Sequence, residues 1–302
     1  MRHDPVLLAE VVDALSLAAN KHIVDCTLGD GGHTEAILAH TGPEGRVLGI
    51  DADPESLLRA KKYLYAYGDR VVYARDNFEH LTDIVAREHF GPIHGILMDF
   101  GWSSPQFEDR GRGFSFQKDE PLDMRYDPSR TDALTAETLV NTKDEQELVH
   151  IFSTYGEEKL SKEIARNIVL SRKEQRIQTT GQLVSIILET YRKKLKTEKE
   201  VPWVGGLHPA TKVFQALRIV VNDELGVIER VLPQAIGVLE TGGRIAVITF
   251  HSLEDRLVKH FFKSEDQRTI RIITKKPIEA SAEEVMNNTR AGSAKLRVVE
   301  KI

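Results

Sequence analysis

Short apolar runs recur along the first third of the chain and alternate with amphipathic segments. Four of these runs are rich in β-branched residues and apolar almost throughout, as expected for parallel strands covered on both faces. They span residues 22–27, 46–51, 70–75 and 94–100. The intervals, such as 54–67 and 79–89, have helical periodicity, and an amphipathic helix is predicted within 1–15. This alternation indicates an α/β fold with a parallel sheet.

The alternation of strand-like runs and amphipathic segments stops after residue 100. Residues 108–207 are charged and helix-like, and strand-like runs resume at 244–250, 269–274 and 295–300, the last two as a candidate hairpin. Seven strands with a late antiparallel member match the layout of class I methyltransferases, a Rossmann-like and mostly parallel seven-stranded sheet. We therefore predict a methyltransferase core in two parts, with an inserted helical substrate-recognition domain between them. The predicted segments are 1–107, 108–207 and 208–302.

The turn after the first predicted strand has the composition of a cofactor site. The stretch IVDCTLGDGGHT (23–34) contains three glycines, and the next strand ends in GIDAD (49–53). Glycines let a ligand approach backbone N–H groups, and Asp51 or Asp53 is placed to accept hydrogen bonds from ribose hydroxyls. The third glycine of a dinucleotide fingerprint is missing, and no Walker-type lysine follows. The pattern favours S-adenosylmethionine, with a glycine-rich connection that binds no ligand as the alternative.

Two candidate catalytic residues follow strands. Asp99 ends the fourth strand, in MDFGWSSPQ (98–106), where amino-directed methyltransferases commonly place an acid or amide that accepts a hydrogen bond from the target N–H. The proline pair that usually follows is missing, and Asp99 could instead cap the next turn or contact only the cofactor. His251 follows the fifth strand and could be a base, a contact for RNA phosphate or a structural histidine.

Composition and charge narrow the class of protein. A chain of 302 residues with a formal net charge of −5 can hold more than one domain and is poorly suited to nonspecific binding of polyanions. Its single cysteine excludes an intrachain disulfide. The histidines lack metal-ligating spacing, so no metal is expected. We find no signal-peptide pattern and no apolar run that could span a bilayer, and therefore predict a cytoplasmic protein without a membrane partner.

Distinctive blocks of sequence span nearly the whole chain. The most telling are FHSLEDR (250–256) and HPATKVFQALRI (208–219); others are HDPVLLAEVVDAL (3–15), DCTLGDGGHT (25–34), GIDADP (49–54), MDFGWSSPQ (98–106), RGFSF and PLDMR (112–125) and RAGSAKLRV (290–298). In these blocks the chain resembles the family of bacterial 16S rRNA methyltransferases that act on N4 of cytosine 1402. It departs from the family pattern at Phe100 and Trp102, in a segment that usually has the sequence DLGVSSPQ.

The resemblance implies a reaction, a cofactor and a partner. The expected reaction is methyl transfer from S-adenosylmethionine to the exocyclic N4 amine of a cytosine in 16S rRNA of the small ribosomal subunit. The family's cofactor contacts fall on Gly31, Gly32, His33, Asp51, Phe78, Asp99 and Gln106. The resemblance thus selects Asp51 over Asp53, by analogy alone.

Substrate contacts are less well defined by the sequence. Ser103 and Ser104 lie in the polar turn after Asp99, while Arg218 and Asn222 lie on the polar stripe of a predicted helix. A small basic group at Arg290, Lys295 and Arg297 is either a rim for phosphate or ordinary surface. The oligomeric state is left open, with a homodimer as one option. Three rival functions also stay open: methylation of another RNA or a protein, assembly without catalysis, and a nucleotide-linked oxidoreductase.

Overall fold

The computed structural model describes residues 5–101, 111–129, 133–197, 201, 203 and 206–302. Contacts between residues divide the chain into two compact units, one formed by 1–103 with 225–302 and the other by 104–224. The second boundary between these units, at 224/225, lies later in the chain than the boundary at 207/208 that the sequence suggests. The cause is the helix Thr211–Val221, which packs against the helices Ala136–Thr142 and Glu145–Thr154 of the second unit. The functional assignment of the two units stays a prediction.

Seven strands form the sheet of the first unit. They are β1 (Ile23–Asp25), β2 (Val47–Asp51), β3 (Val71–Arg75), β4 (Ile93–Asp99), β5 (Leu239–Thr249), β6 (Ile270–Ile272) and β7 (Lys295–Lys301). Their order is β3-β2-β1-β4-β5-β7-β6. The first five are parallel, and β7 is antiparallel to both β5 and β6. This topology confirms the predicted class I methyltransferase fold.

The described helices follow one another along the chain from α1 to α12. They are α1 (Leu8–Ala14), α2 (Gly32–His40), α3 (Pro54–Tyr63), α4 (Leu81–Arg87), α5 (Ala136–Thr142), α6 (Glu145–Thr154), α7 (Ser161–Glu174), α8 (Thr180–Leu195), α9 (Thr211–Val221), α10 (Glu224–Val238), α11 (Ser252–Glu265) and α12 (Ala282–Asn287). Short 3₁₀ turns lie at Tyr65–Arg70, Phe78–His80 and Thr289–Ser293. Among these helices, none is both long and apolar enough to cross a membrane.

The sheet has an apolar layer on each face, which explains why its strands are apolar almost throughout. Val24 and Leu48 belong to one buried cluster, whereas their chain neighbours Ile23 and Val47 belong to the other. Successive residues of a strand point to opposite faces, so a strand buried on both faces cannot alternate between apolar and polar residues. The parallel register places the carboxyl ends of β1, β2 and β4 along one edge, where ligands bind in doubly wound folds.

Some element limits differ from those that the sequence predicts. The predicted helix 54–67 ends at Tyr63 and continues as a 3₁₀ turn. Strand β5 begins at Leu239, earlier than expected, because Leu239 pairs with Ile93 at the start of β4. The last two strands pair directly, as predicted, but α12 lies between them in the chain, so they do not form a tight hairpin.

The second unit is helical. Helices α7 and α8 pack together, and the Asn167 side chain donates to Thr190 Oγ1 across 2.7 Å between them. Helix α9 contributes a second set of contacts through Asn222, whose side chain donates to the Met124 carbonyl oxygen and accepts from the Tyr126 N–H. These bonds fix the chain that leads into α5.

Candidate active site

The glycine turn between β1 and α2 is held in a conformation that favours glycine. Gly29 and Gly31 have φ values of 53° and 86°, in the left-handed region that residues with a Cβ rarely adopt. A Cβ on Gly32 would lie 2.4 Å from Pro5 Cγ, so the N-terminal segment packs directly on the turn. At Gly29, by contrast, a Cβ would have no neighbour nearer than 3.9 Å among the residues that the structure describes. The turn therefore opens at Gly29 and is closed at Gly32.

The two acids after β2 have different surroundings. Asp51 Oδ2 accepts the Gly29 N–H at 2.9 Å, and its Oδ1 accepts the Asp53 N–H at 2.8 Å. Asp53 is buried, and its Oδ1 accepts the Glu55 N–H at 3.0 Å as the N-cap of α3. A capping side chain of this kind satisfies a helix end. The geometry thus gives Asp53 a structural role and leaves Asp51, tied to the glycine turn, as the better candidate for ribose.

Asp25 is a buried carboxylate beneath the glycine turn. Its oxygens accept the Thr27 N–H at 3.1 Å and the Thr34 hydroxyl at 2.7 Å. Burial is the largest effect on Asp25 and raises its pKa, while the hydrogen bonds and nearby His33 act in the opposite direction. The hydrogen bonds of Asp25 therefore fix the shape of the turn, while the burial of its carboxylate disfavours the ionised form.

Asp99 lies at the end of β4, on the same edge of the sheet. Its backbone N–H donates to Thr27 Oγ1 at 2.7 Å, which joins β4 to the turn after β1. Its Oδ1 accepts the Gly101 N–H at 2.9 Å, so Asp99 does cap the turn that follows. Burial raises the pKa of Asp99 to about 6, against the lowering effects of His33 and the Gly101 N–H. A carboxylate with such a pKa is ionised at neutral pH and binds a proton readily.

His33 faces Asp99 from the first turn of α2. It is buried, with Nε2 3.0 Å from the Val6 carbonyl oxygen and Nδ1 3.7 Å from Asp99 Oδ2. The contact with Val6 fastens the N-terminal segment to the site. The arrangement brings together, in three dimensions, two of the residues that the sequence assigns to the cofactor.

An aromatic pair lies beside these acids. The rings of Phe78 and Phe100 stack with 6.0 Å between centroids and an interplanar angle of 23°. Phe78 is positioned by Asn77, whose side chain accepts the Glu79 N–H at the start of a 3₁₀ turn. Phe100, a departure from the family pattern, thus gives the predicted contact Phe78 an aromatic partner.

His251 is the N-cap of α11. Its Nδ1 lies 3.4 Å from the Glu254 N–H, and the Glu254 side chain reaches back to the N–H groups of Phe250 and His251 at 2.8 and 3.2 Å. This reciprocal arrangement is a capping box. The spacing of His251 and Glu254 in HSLE is the local signal that could have indicated it. The structural alternative for His251 is therefore realised, and a role in catalysis stays a prediction.

The other predicted contacts lie elsewhere. Ser103, Ser104 and Gln106 fall outside the described residues. Arg218 and Asn222 belong to the second unit, where Arg218 is buried and forms an ion pair with Glu224, with 2.7 Å between Nε and Oε1. Direct contact of these side chains with a substrate stays a prediction.

Of the three residues of the suggested basic rim, Arg290, Lys295 and Arg297, the last does not belong to it. Arg297 is buried and forms two hydrogen bonds with Asp255 at 2.7 and 3.1 Å. It is therefore a structural residue and does not belong to a phosphate-binding surface.

Three connecting residues of the site carried no recognised signal in the sequence. They are Val6, which accepts from His33; Thr27, which links Asp25 and Asp99; and Thr34, which donates to Asp25. Their roles depend on which segments lie side by side in the folded chain. The spacing of Asp25 and Thr27, with the acid at a strand end and the N–H two residues on, is the one local pattern that could have indicated a turn here.

The groups at this edge fit S-adenosylmethionine. The opening at Gly29 gives a ligand access to the backbone, and the Asp51 carboxylate has the acceptor chemistry that ribose hydroxyls require. The turn residues 25–34 include no lysine or arginine for a pyrophosphate. Stacked aromatic rings at Phe78 and Phe100 offer an apolar wall for a purine.

Comparison with known proteins places these features in a family. A family model described as the MraW methylase family matches residues 1–302. Three relatives named Ribosomal RNA small subunit methyltransferase H are each 45% identical to this chain and cover 99% of it. They come from Symbiobacterium thermophilum (96% of the relative covered), Heliobacterium modesticaldum (98%) and Carboxydothermus hydrogenoformans (98%).

Proposed function

Because this chain belongs to the MraW methylase family, we propose that it methylates the exocyclic N4 amine of cytosine 1402 in 16S rRNA of the small ribosomal subunit. S-adenosylmethionine is its methyl donor, and when bound it supplies a sulfonium methyl group. The names of the three relatives support small-subunit rRNA as the substrate. The blocks of sequence shared with the N4-cytosine family support the choice of base and atom.

We assign the donor to the edge formed by β1, β2 and β4. In this proposal the turn at Gly31, Gly32 and His33 borders the amino-acid end, and Asp51 accepts hydrogen bonds from the ribose. Phe78 borders the adenine, while Asp99 and Gln106 complete the contacts. The support is the opening at Gly29 and the tie between Gly29 and Asp51. Asp53 is left out because it caps α3.

Asp99 is the residue that carries the proposal, because its second carboxylate oxygen is the acceptor that an exocyclic amine needs. The lone pair of that amine is delocalised into the cytosine ring. An acceptor for one N–H localises the lone pair and directs it at the methyl carbon. Alignment of this kind can supply roughly 7–11 kcal/mol of the reduction in barrier. The target base must be unpaired or flipped out of its stack to reach the acid.

The proton balance follows from the same geometry. The nitrogen forms its bond to the methyl carbon as the bond between that carbon and sulfur breaks, and the nitrogen then loses a proton. Asp99, with a pKa raised to about 6 by burial, is ionised at neutral pH and can receive this proton. General-base assistance typically contributes a factor of about 10²–10⁴ in rate.

Recognition of the base is assigned to weaker candidates. Ser103, Ser104 and His251 adjoin the carboxyl edge in sequence, and Arg218 and Asn222 lie in the second unit. The second unit as a whole is proposed to bind rRNA, and the cytoplasm, where ribosomal subunits are assembled, is the proposed location. Whether the enzyme acts as a homodimer can be decided by light scattering at the concentration of the assay.

The decisive experiment compares nucleosides from small-subunit rRNA of cells with and without the gene. Mass spectrometry should detect N4-methylated cytidine that disappears on deletion and returns with the wild-type gene. Purified small subunits from the deletion strain should accept labelled methyl groups from the purified protein. Label in another nucleotide or in a protein would support the rival methyltransferases, and tight binding without label would support an assembly factor.

A further inference from the structure

The imidazole of His33, which is buried, faces the carboxylate of Asp99, which is partly buried, and a third group fixes the orientation of the ring. The distance from His33 Nδ1 to Asp99 Oδ2 is 3.7 Å. On the other side of the ring, Nε2 lies 3.0 Å from the Val6 carbonyl oxygen. A carbonyl oxygen can only accept, so Nε2 must carry the hydrogen. In the neutral ring, Nδ1 therefore presents a lone pair to the carboxylate.

Two acceptors that face each other in a buried site repel, and a proton held between them makes the contact attractive. Among the described residues, the other charged groups that act on Asp99 are Asp25 at the end of β1 and Glu254 at the start of α11, and both raise its pKa. His33 and the Gly101 N–H act in the opposite direction. Near these three carboxylates, the imidazole is thus the side chain that lowers the pKa of Asp99.

From this geometry we propose that His33 is a positioning residue that acts through Asp99, a role that rests on the proposed methyl transfer to an amine. It lowers the pKa of Asp99 and so favours the ionised form that accepts the amine N–H. The family resemblance assigns His33 to the cofactor, which is a different role. The contact of Nε2 with Val6 holds the ring in the orientation that turns Nδ1 towards Asp99.

The test is the pH dependence of single-turnover methylation in His33→Gln. Glutamine can still donate to the Val6 carbonyl oxygen, but it has no group that titrates. We expect the acid limb of the rate profile to move up by about one pH unit, which is a loss of roughly tenfold below the limb and little loss well above it. Because His33 also borders the proposed cofactor site, the rates are measured at saturating S-adenosylmethionine, so that a loss of cofactor affinity does not enter the pH profile.

A matched control separates this effect from loosening of the N-terminal segment. Glu284 Oε1 accepts the Leu7 N–H at 2.7 Å, which is the neighbouring tether of the same segment. Glu284→Ala removes that tether and leaves His33 and Asp99 in place, so its acid limb should match the wild type. Our proposal would be overturned if His33→Gln lowered the rate equally at every pH, or if it weakened cofactor binding strongly without moving the limb.

A second measurement keeps the proposal testable without turnover. In full-length protein with isotope-labelled aspartate, NMR of the Asp99 carboxyl carbon should show that the pKa of Asp99 is higher in His33→Gln than in the wild type. An unchanged pKa of Asp99 in His33→Gln would contradict the pair. If the wild type made no N4-methylcytidine, the proposed function would fail while the NMR result still decided the role of His33.

Discussion

Two groups of acids in the same unit are stabilised in different ways. At the carboxyl edge of the sheet, Asp25 and Asp99 accept hydrogen bonds from backbone and hydroxyl groups, and neither forms an ion pair with a lysine or arginine among the described residues. Near the C-terminal strands, Glu300 lies between Arg244 and Arg271, and Asp255 binds Arg297.

The pKa values follow this difference. Burial raises the pKa of Asp25 and Asp99, whereas hydrogen bonds from Arg244, followed by those from Arg271, lower the pKa of Glu300 despite its desolvation. An acid paired with arginine stabilises the fold, because its ionised form is favoured. An acid that is buried without such a cation costs stability when ionised, and this cost is typical of functional sites. The contrast adds an electrostatic reason to propose Asp99 as a functional residue, beside its position at the carboxyl edge of the sheet.

The largest effect is expected from Asp99→Asn. The amide cannot take a proton, so methyl transfer should fall by about 10²–10⁴-fold. The folded protein should not lose stability, since the buried charge is removed. Single-turnover assays and urea unfolding would test both statements. Full activity together with unchanged cofactor affinity would exclude Asp99 from the site.

Arg297→Met should show the opposite pattern, with a large loss of stability and little change in cofactor affinity. It leaves the Asp255 carboxylate without its partner, and removing one member of a buried pair costs about 3 kcal/mol. Chemical denaturation would measure the loss. Adding Asp255→Asn should recover part of it, because the unpaired charge is then gone; a double variant as unstable as the single one would refute this explanation.

Asp51→Asn should weaken binding of S-adenosylmethionine by roughly 10- to 100-fold, since hydrogen bonds to a charged group contribute about 1.5–3 kcal/mol each. Calorimetry measures the change directly. The matched control is Asp53→Asn, two residues along the chain, because asparagine is also a good N-cap and should leave the affinity unchanged. Equal losses in the two variants would show that the chain, not the Asp51 carboxylate, was disturbed.

The smallest expected effect concerns pH, and its sign differs between the two groups. Glu300→Gln should cost about 1 kcal/mol at neutral pH. Since the folded-state pKa of Glu300 is lowered, this contribution is present above its ordinary pKa and is lost as the pH falls through the folded value. Urea unfolding of the variant and the wild type across this pH range would measure the loss.

Asp99 behaves in the opposite sense. Its folded-state pKa of about 6 lies above its ordinary value, so the folded protein binds more protons between the two values and becomes less stable as the pH rises through them. The stability difference between Asp99→Asn and the wild type, without cofactor, should therefore widen with pH over that interval. If the free energies of unfolding of the two proteins changed in parallel with pH, the raised pKa of Asp99 would be contradicted, and with it the contrast between the two groups of acids.

Much of the fold was predictable because its signals are local. Apolar runs marked the strands that were observed as β1 to β4 within a few residues, and the interruption after residue 100 indicated the second unit. The second boundary between the two units, which was predicted at 207/208, could not be located from local signals in the same way. The helix α9 has an apolar face that would suit either unit, and only packing against α5 and α6 assigned it to the second.

The candidate site divides along the same line. By itself the sequence determined the glycine turn, the acids at the strand ends and the family, because these depend on residue types at fixed spacing. The tertiary structure decided the structural roles of individual side chains. Asp53 caps α3, His251 caps α11, and Arg297 pairs with Asp255. It also placed His33 against Asp99 and Val6. Burial, charge and hydrogen-bond partners are set by segments distant in the chain, and those quantities determine the pKa of a carboxylate.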